Sequence, residues 1–497
     1  MLLFELEKLI KSLSASEKKT FQLYSAQQQG DKDYIALYEL AINSKNGGDT
    51  GDLARLFKER YPSKSLENTA AYLYKVLTDI LVQIRIEQDS WYQQFQGLMK
   101  ARLCFERSIP SRAFKELRKV SKLAAENQHH LVGYQAARME LTALADMGFR
   151  GLSEQQLVDM QMKGKHTLQT LRQIHEHYSL YELLSYRLSQ GKLAKSAKLQ
   201  KDKQINDLIL SELSLSTRGS QQLFEPQKLH LLFQSFFFIH TGEYRSALRI
   251  FNDLTKLVEA NEPMWDYPPY DYLSALDGIL DSLRSIGYYE EMEGFIGKLD
   301  ALSARSYPEH FRNLASLTAG VYRLNMLIGL RRPEAAAEFV DAFINGSRHH
   351  GVTDGHEKQI EWLYFQATAH FQLRQWPKAK RLLSQLMMMD NATVQLPVYR
   401  AGRLLHILLS YELDDMEYLE YEIRSYKRAF SKQGKAYSTE KLVFNTIASD
   451  PKRRGNAWKA NARKKLESKL SELKADKREM QLSKFFDFGQ WVSDKTS

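Results

Sequence analysis

The chain has 497 residues, 43% hydrophobic and 11% aromatic, which is ample material for a continuous core and excludes intrinsic disorder as the default. Its single cysteine, Cys104, excludes both a disulfide framework and a thiolate zinc site. The net charge of +10 is unevenly placed: residues 450–484 hold twelve Lys and Arg against five Asp and Glu, so any argument for an acidic partner rests on that stretch.

Only 11 prolines and 25 glycines punctuate the chain, which favours helices joined by short turns over a sandwich or barrel. The opening MLLFELEKLIKSL carries Glu5, Glu7 and Lys8 and lacks the basic start and cleavage site of a secretory signal. The most apolar stretch, Leu229–Ile239, is too short to span a bilayer. The expected setting is soluble and cytoplasmic. Ser14 and Glu17 have the spacing of a capping box, so a helix is predicted to start there and carry Phe21 and Tyr24 inward. Asn43–Asp52 reads as a loop, and Leu53–Tyr61 and Leu66–Ile86 as helices broken by Pro62. That pair has the outline of a helix-turn-helix without the usual turn glycine. Val76, Leu77, Ile80, Leu81 and Ile84 predict one buried stripe, and residues 1–94 a helical N-terminal region.

From residue 95 to 430 a phrase recurs: a small or polar residue, then an aromatic or proline two on, an apolar residue five on and a larger one nine on. Its copies are Gly242, Tyr244, Ala247, Phe251; Gly287, Tyr289, Met292, Ile296; Arg331, Pro333, Ala336, Val340; and Arg374, Trp376, Ala379, Leu383. Their first members lie 45, 44 and 43 residues apart. Ser108, Pro110, Ala113, Leu117 and Asp414, Met416, Leu419, Ile423 fit it loosely. A period of that length marks stacked helical hairpins, none of which can bury its own apolar face. Between Gly148 and Gly219 the register is lost. Cys104, in RLCFER, is expected at an inward-facing position of a helix. The segment Asn261–Tyr272 (NEPMWDYPPYDY) breaks the array, and its aromatics are expected to fold back over the neighbouring core.

These residues resemble the tetratricopeptide-repeat superfamily. There, a small residue on the first helix of each unit precedes an alanine on the second by twelve positions, where the helices pack closely. Ser235 precedes Ala247, and Ala367 precedes Ala379, by that interval, with Phe238 and Phe251 at the family's aromatic positions. Small side chains at the crossing let axes approach to the short end of roughly 8–10 Å. The chain departs from the family in its period of about 44 in place of 34, in the missing closing proline, and in Leu231 and Leu363 where a tryptophan usually opens the unit. The resemblance implies the architecture and carries over no ligand by residue; stacked arrays of this kind bind and rarely do chemistry.

A search for chemistry finds no phosphate-cradling loop, HExxH, nucleophile elbow or kinase signature set. His349, His350 and His356, with Asp354 and Glu357, sit in a glycine-rich stretch that reads as a polar inter-helix loop, and no ligand spacing recommends a metal. His175 and His177 point about 200° apart on a helix and cannot share one. No catalytic residue, cofactor or metal is expected. In residues 431–497, Trp458, Ala462, Leu466, Leu470 and Leu473 form an apolar stripe on a basic helix, followed by Phe485, Phe486, Phe488 and Trp491. Three roles compete: a cap on the open end of the array; phosphate contact with RNA or DNA through Lys452, Arg453, Arg454, Arg463, Lys464 and Lys465; or docking to acidic lipid or an acidic protein.

The expected fold is all-α: a right-handed α-solenoid of antiparallel helical hairpins with helical N- and C-terminal extensions. The expected function is a non-enzymatic scaffold holding a protein or peptide in its concave groove. The alternatives are a nucleic-acid or ribosome-associated factor using the basic tail, and an enzyme whose residues converge only in three dimensions.

Overall fold

A computed structural model describes residues 2–26, 32–43, 50–189, 203–216, 223–346, 356–389, 396–431, 436–449, 469–473 and 476–496. The protein is all-α, with no strand among the described residues. None of its described helices is long and apolar enough to cross a membrane.

The chain divides into two compact units. The first comprises Met1–His175 with Pro308–His310, the second Glu176–Tyr307 with Phe311–Ser497. The first holds α1 (Leu2–Ser12), α2 (Ala15–Ala26), α3 (Asp33–Asn43), α4 (Thr50–Arg60), α5 (Leu66–Gln88), α6 (Ser90–Glu106), α7 (Pro110–Glu126) and α8 (His130–Asp146). The capping box forms: the Ser14 amide donates to Glu17 Oε2 at 2.7 Å and the Glu17 amide to Ser14 Oγ at 3.2 Å. Phe21 is buried beside Leu6, Ile10, Phe57, Leu73 and Leu77, so α1 to α5 close one apolar core, whereas Tyr24, expected to face inward with it, is exposed. A second cluster joins α6, α7 and α8, where Gly97 makes room for Val120. The division between units falls inside α9 (Glu154–Ser189), a helix of 36 residues occupying much of the stretch in which no repeat register could be read. Cys104 is half-buried in the last turn of α6, where a buried position was expected; Ala101 and Leu98, one and two turns earlier, take the inward face.

The second unit continues with α10 (Lys203–Ser216), α11 (Phe224–Thr241), α12 (Tyr244–Ala260), α13 (Tyr270–Ile286), α14 (Met292–Ala304), α15 (Glu309–Gly329), α16 (Pro333–Gly346), α17 (His356–Gln372), α18 (Trp376–Met387), α19 (Pro397–Glu412), α20 (Met416–Phe430), α21 (Ser438–Ser449), α22 (Lys477–Ser483) and α23 (Phe488–Thr496). Neighbours in sequence pack together, as in α11 on α12, α12 on α13, and α17 through α20. Helices two apart also touch, α11 with α13 and α17 with α19. His356 and Glu357 open α17, so the predicted loop ends before them; His349, His350 and Asp354 lie outside the described residues.

The recurring phrase marks one kind of turn. Ser108, Gly242, Gly287, Arg331, Arg374 and Asp414 all have left-handed backbones, with φ of 56°, 74°, 78°, 58°, 59° and 60°. At each, the residue's amide donates to the carbonyl three back and the next amide to the carbonyl five back, over 2.8–3.3 Å. This paired bonding satisfies the last carbonyls of a helix and turns the chain sharply. The positions five and nine residues on then face the core: Ala113 and Leu117, Ala247 and Phe251, Met292 and Ile296, Ala336 and Val340, and Ala379 and Leu383 are all buried. Ser235 faces inward with Ala247, and Ala367 with Ala379, each fully enclosed. Phe251 fills the space over Gly278, where a Cβ would come within 2.1 Å of its ring, and Tyr289 similarly covers Gly329. Tyr244 is buried, Phe238 is half-buried in the same cluster, and Trp376 lies 5.3 Å from the Phe371 ring.

Of the aromatics of Asn261–Tyr272, Trp265 and Tyr272 fold back onto the core, while Tyr267 and Tyr270 stay exposed. Trp265 packs 4.8 Å from Tyr272 and its indole donates to the Val258 carbonyl at 2.7 Å. Tyr267 meets Tyr307 at a tilt and Tyr270 meets Phe311 edge to face, at 5.5 and 5.2 Å.

Candidate functional site

The C-terminal segment Asp476–Thr496 lies against α13, α17, α19 and α21. Leu482, Phe485, Phe488, Trp491 and Val492 are all buried in the cluster built by α15 to α21. Phe485 meets Tyr364 and Phe365 of α17 at 5.9 and 6.3 Å, and Phe486 meets Phe371 at 5.9 Å. Trp491 packs 5.7 Å from Tyr411 of α19 and donates its indole N–H to Glu412 at 2.9 Å. The aromatics thus engage helices far from the last pair as well as α21, a wider footprint than an end cap requires.

Polar anchors tie the segment at both ends. Lys477 pairs with Glu243 at the start of α12, and its backbone carbonyl passes so near Gly242 that a Cβ there would sit 3.1 Å away. The Glu479 carboxylate accepts the Ser438 and Thr439 amides at 2.7 and 3.0 Å and the Thr439 hydroxyl at 2.8 Å. It therefore caps α21, where free amides and the helix dipole favour an anion. Lys495 donates to Glu412 at 2.8 Å.

Between these anchors sits a buried charge network. Arg284 of α13 donates from Nε to Asp281 at 2.7 Å and from Nη2 to Glu361 of α17 at 2.7 Å. Lys358 pairs with Glu361 at 3.2 Å and with Asp277 at 2.5 Å, and the Tyr322 hydroxyl of α15 donates to Asp277 at 2.8 Å. Lys484 completes the set, donating to both Asp281 oxygens at 2.9 and 3.1 Å. The Arg284 guanidinium lies 5.2 Å from the centres of both the Tyr322 and Phe485 rings, within cation–π range.

The electrostatics follow from burial and pairing. Burial alone would raise the Asp281 carboxyl, but Lys484 and Arg284 outweigh it and hold it well below the usual carboxylate range. The same contest, won by Arg284 and Lys358, brings Glu361 down to about 2. Burial would lower the Lys484 ammonium, and Asp281 more than reverses this. His240 is pushed down to about 4, by burial and then by the Lys484 charge, so it is neutral at pH 7.

None of the six tail cations expected to contact phosphate, Lys452, Arg453, Arg454, Arg463, Lys464 and Lys465, lies within the described residues. The network itself was missed in the sequence. A signal was present: Asp277, Asp281 and Arg284 interrupt the otherwise apolar run ALDGILDSLRSI of α13, where ionised side chains at helical spacing must find partners. No group of His, Cys, Asp and Glu among the described residues is arranged to hold a metal.

The fold and this site define a class no finer than an all-helical protein whose C-terminal segment is seated on a buried ionic network. No protein-family profile matches the chain, and a search of curated proteins found no match.

Proposed function

We propose that this chain is a non-enzymatic, cytoplasmic scaffold: a tetratricopeptide-like right-handed solenoid of antiparallel helical hairpins that holds a protein or peptide in its concave groove. The observation that carries the reading is the seat of Asp476–Thr496, a peptide-length segment engaging α13, α17, α19 and α21 through spaced aromatic and charged anchors. Helical arrays bind in this manner, with a few enclosed aromatic and ionic anchors along an extended surface. The six phrase turns share one geometry, which Gln128 and Gly148 also adopt, and their regular spacing supports a repeating unit. The carboxylates at the centre are engaged by Arg284, Lys358 and Lys484, which suits a structural and recognition role better than a proton-transfer one.

The test is capture from host lysate at low and moderate salt, with and without nuclease. The baits are the full chain and a full-length variant with Lys452, Arg453, Arg454, Arg463, Lys464 and Lys465 all changed to Gln. Both are expected to retain the same protein partner through salt and nuclease. Recovery of RNA, DNA or ribosomes by the unaltered chain alone, lost with salt or nuclease, overturns this reading in favour of a nucleic-acid factor.

A further inference from the structure

The charges in the network do not balance without the C-terminal segment. Asp277, Asp281 and Glu361 bring three negative charges, while Arg284 and Lys358 bring two positive ones. Lys484 supplies the missing cation. A buried carboxylate without a partner is strongly destabilising, whereas apolar replacement of a complete buried ion pair is commonly neutral or favourable. A segment whose only task was to fill the core has no need of Lys484. The network specifies what sits on it: an ammonium at Asp281, with an aromatic ring directly following it over Arg284 and a second beside Phe371.

Resting on the scaffold reading above, we propose that the surface beneath Asp476–Thr496 is the partner site and that this segment is its resident substitute. The partner is a peptide carrying a lysine followed by two aromatic residues, in the manner of Lys484, Phe485 and Phe486. Such a partner displaces the segment by supplying the same charge to Asp281, so the buried network never loses its counter-ion once exchange is complete. A peptide with aromatics and no cation leaves Asp281 unpaired and is rejected by that cost. The segment's affinity for its own seat sets the threshold the partner must exceed, since only the fraction of chains with an open site can bind.

The test uses the full chain and a fluorescein-labelled synthetic peptide of residues 476–496, followed by fluorescence polarisation. Lys484→Ala in the chain weakens the resident segment by leaving Asp281 short of a cation, while every residue of the surface beneath the segment stays in place. The peptide is expected to bind that variant about tenfold or more tightly than the unaltered chain. Adding Asp281→Ala to the same chain removes the gain, and a peptide with Ala at the Lys484 position shows none. Phe486→Ala in the chain provides a second opened variant should Lys484→Ala not fold. Hydrogen exchange supplies an independent reading: residues 477–496 of the unaltered chain are expected to exchange at least tenfold faster than α13 and α17. Equal peptide binding to opened and unaltered chains, binding by a scrambled peptide, or exchange of 477–496 no faster than α13 overturns the proposal. If that happens while a protein partner is still captured through salt and nuclease, the scaffold reading stands and only this site falls. If peptide exchange occurs but lysate yields nucleic acid alone, the converse holds.

Discussion

The two units spend their charged side chains differently. In the first, ion pairs such as Arg55–Asp52, Arg102–Glu106 and Lys122–Glu126 join residues three or four apart on one helix and face solvent. In the second, Arg284 is 3% exposed and bonds Glu361, 77 positions away, while Asp281 reaches Lys484 at a separation of 203. Exposed local pairs contribute a few tenths of a kcal/mol and are screened by salt. Buried distant pairs are close to neutral as wholes and severe when broken. The first kind adjusts solubility and helix stability; the second fixes which segment goes where. The first unit is held mainly by its apolar clusters, with Arg85–Glu17 at 3.9 Å as a looser, part-exposed ion pair between helices, and the second by apolar clusters plus a matching requirement that its C-terminal segment fulfils.

The sharpest way to break this contrast is to remove one arginine from each kind of pair. Arg284→Ala leaves Asp281 and Glu361 sharing a buried space without their common donor, and is expected to cost about 3–5 kcal/mol. Arg102→Ala, whose side chain is 78% exposed, should change stability by no more than about 0.5 kcal/mol. Chemical denaturation, with hydrogen exchange read separately in α13 and α6, checks both. Similar losses in the two variants would dissolve the distinction.

Acid provides a graded version. Asp281 and Glu361 are held below the ordinary carboxylate value, so their contribution is fully present above about pH 4 and is lost as pH falls through their folded values. His240 is also depressed: its unfolded form takes up a proton first, so stability is lost as pH falls from its ordinary value toward about 4. Protection in α13 and α17 should accordingly fall below pH 4 beyond any fall in α1 and α5. Lys484→Ala should raise the His240 pKa, read by NMR titration, because the Lys484 charge is one of its two depressing causes. An unchanged His240 titration would mean that Lys484 is not seated where the network requires it.

How much of this was legible in the sequence depended on whether the cause was local. The phrase found at Gly242 and Gly287 reports a left-handed turn, and glycine there is a readable signal because it adopts that conformation without a Cβ penalty. Arg331 and Arg374 make the same turn with no residue-level sign, so only their spacing gave them away. The inward positions Ala247, Phe251, Ala379 and Leu383 were likewise readable as periodicity. The network was not. Asp277 and Asp281 lie one turn apart on α13, which sequence can show, but which cations answer them depends on α17 and on a segment two hundred residues later. The tail's aromatics were legible as an apolar face, but periodicity says nothing of which helices such a face meets. The long α9 defeated the register for a related reason: a helix of 36 residues has no turn at the repeat interval to mark.

The smallest effects test whether the units differ in their turns as well as their charges. Ser108 in the first unit and Arg374 in the second hold the same left-handed turn with side chains that disfavour it, and both are exposed. A non-glycine residue in that region is strained by roughly 1–2 kcal/mol, partly offset by the greater entropy that glycine loses on folding. Ser108→Gly and Arg374→Gly should each therefore raise stability by about 0.5–1 kcal/mol. Gly287→Ala, at φ 78° with open space around its Cβ position, should lower it by about 1 kcal/mol through backbone strain alone. Thermal unfolding of the three variants reads both signs. Matching gains at 108 and 374 would show that the turns obey one rule in both units, which leaves buried charge as the property that separates them. A gain at one position and a loss at the other would mean that the turn residues carry contacts of their own, and the contrast between units would have to include the backbone.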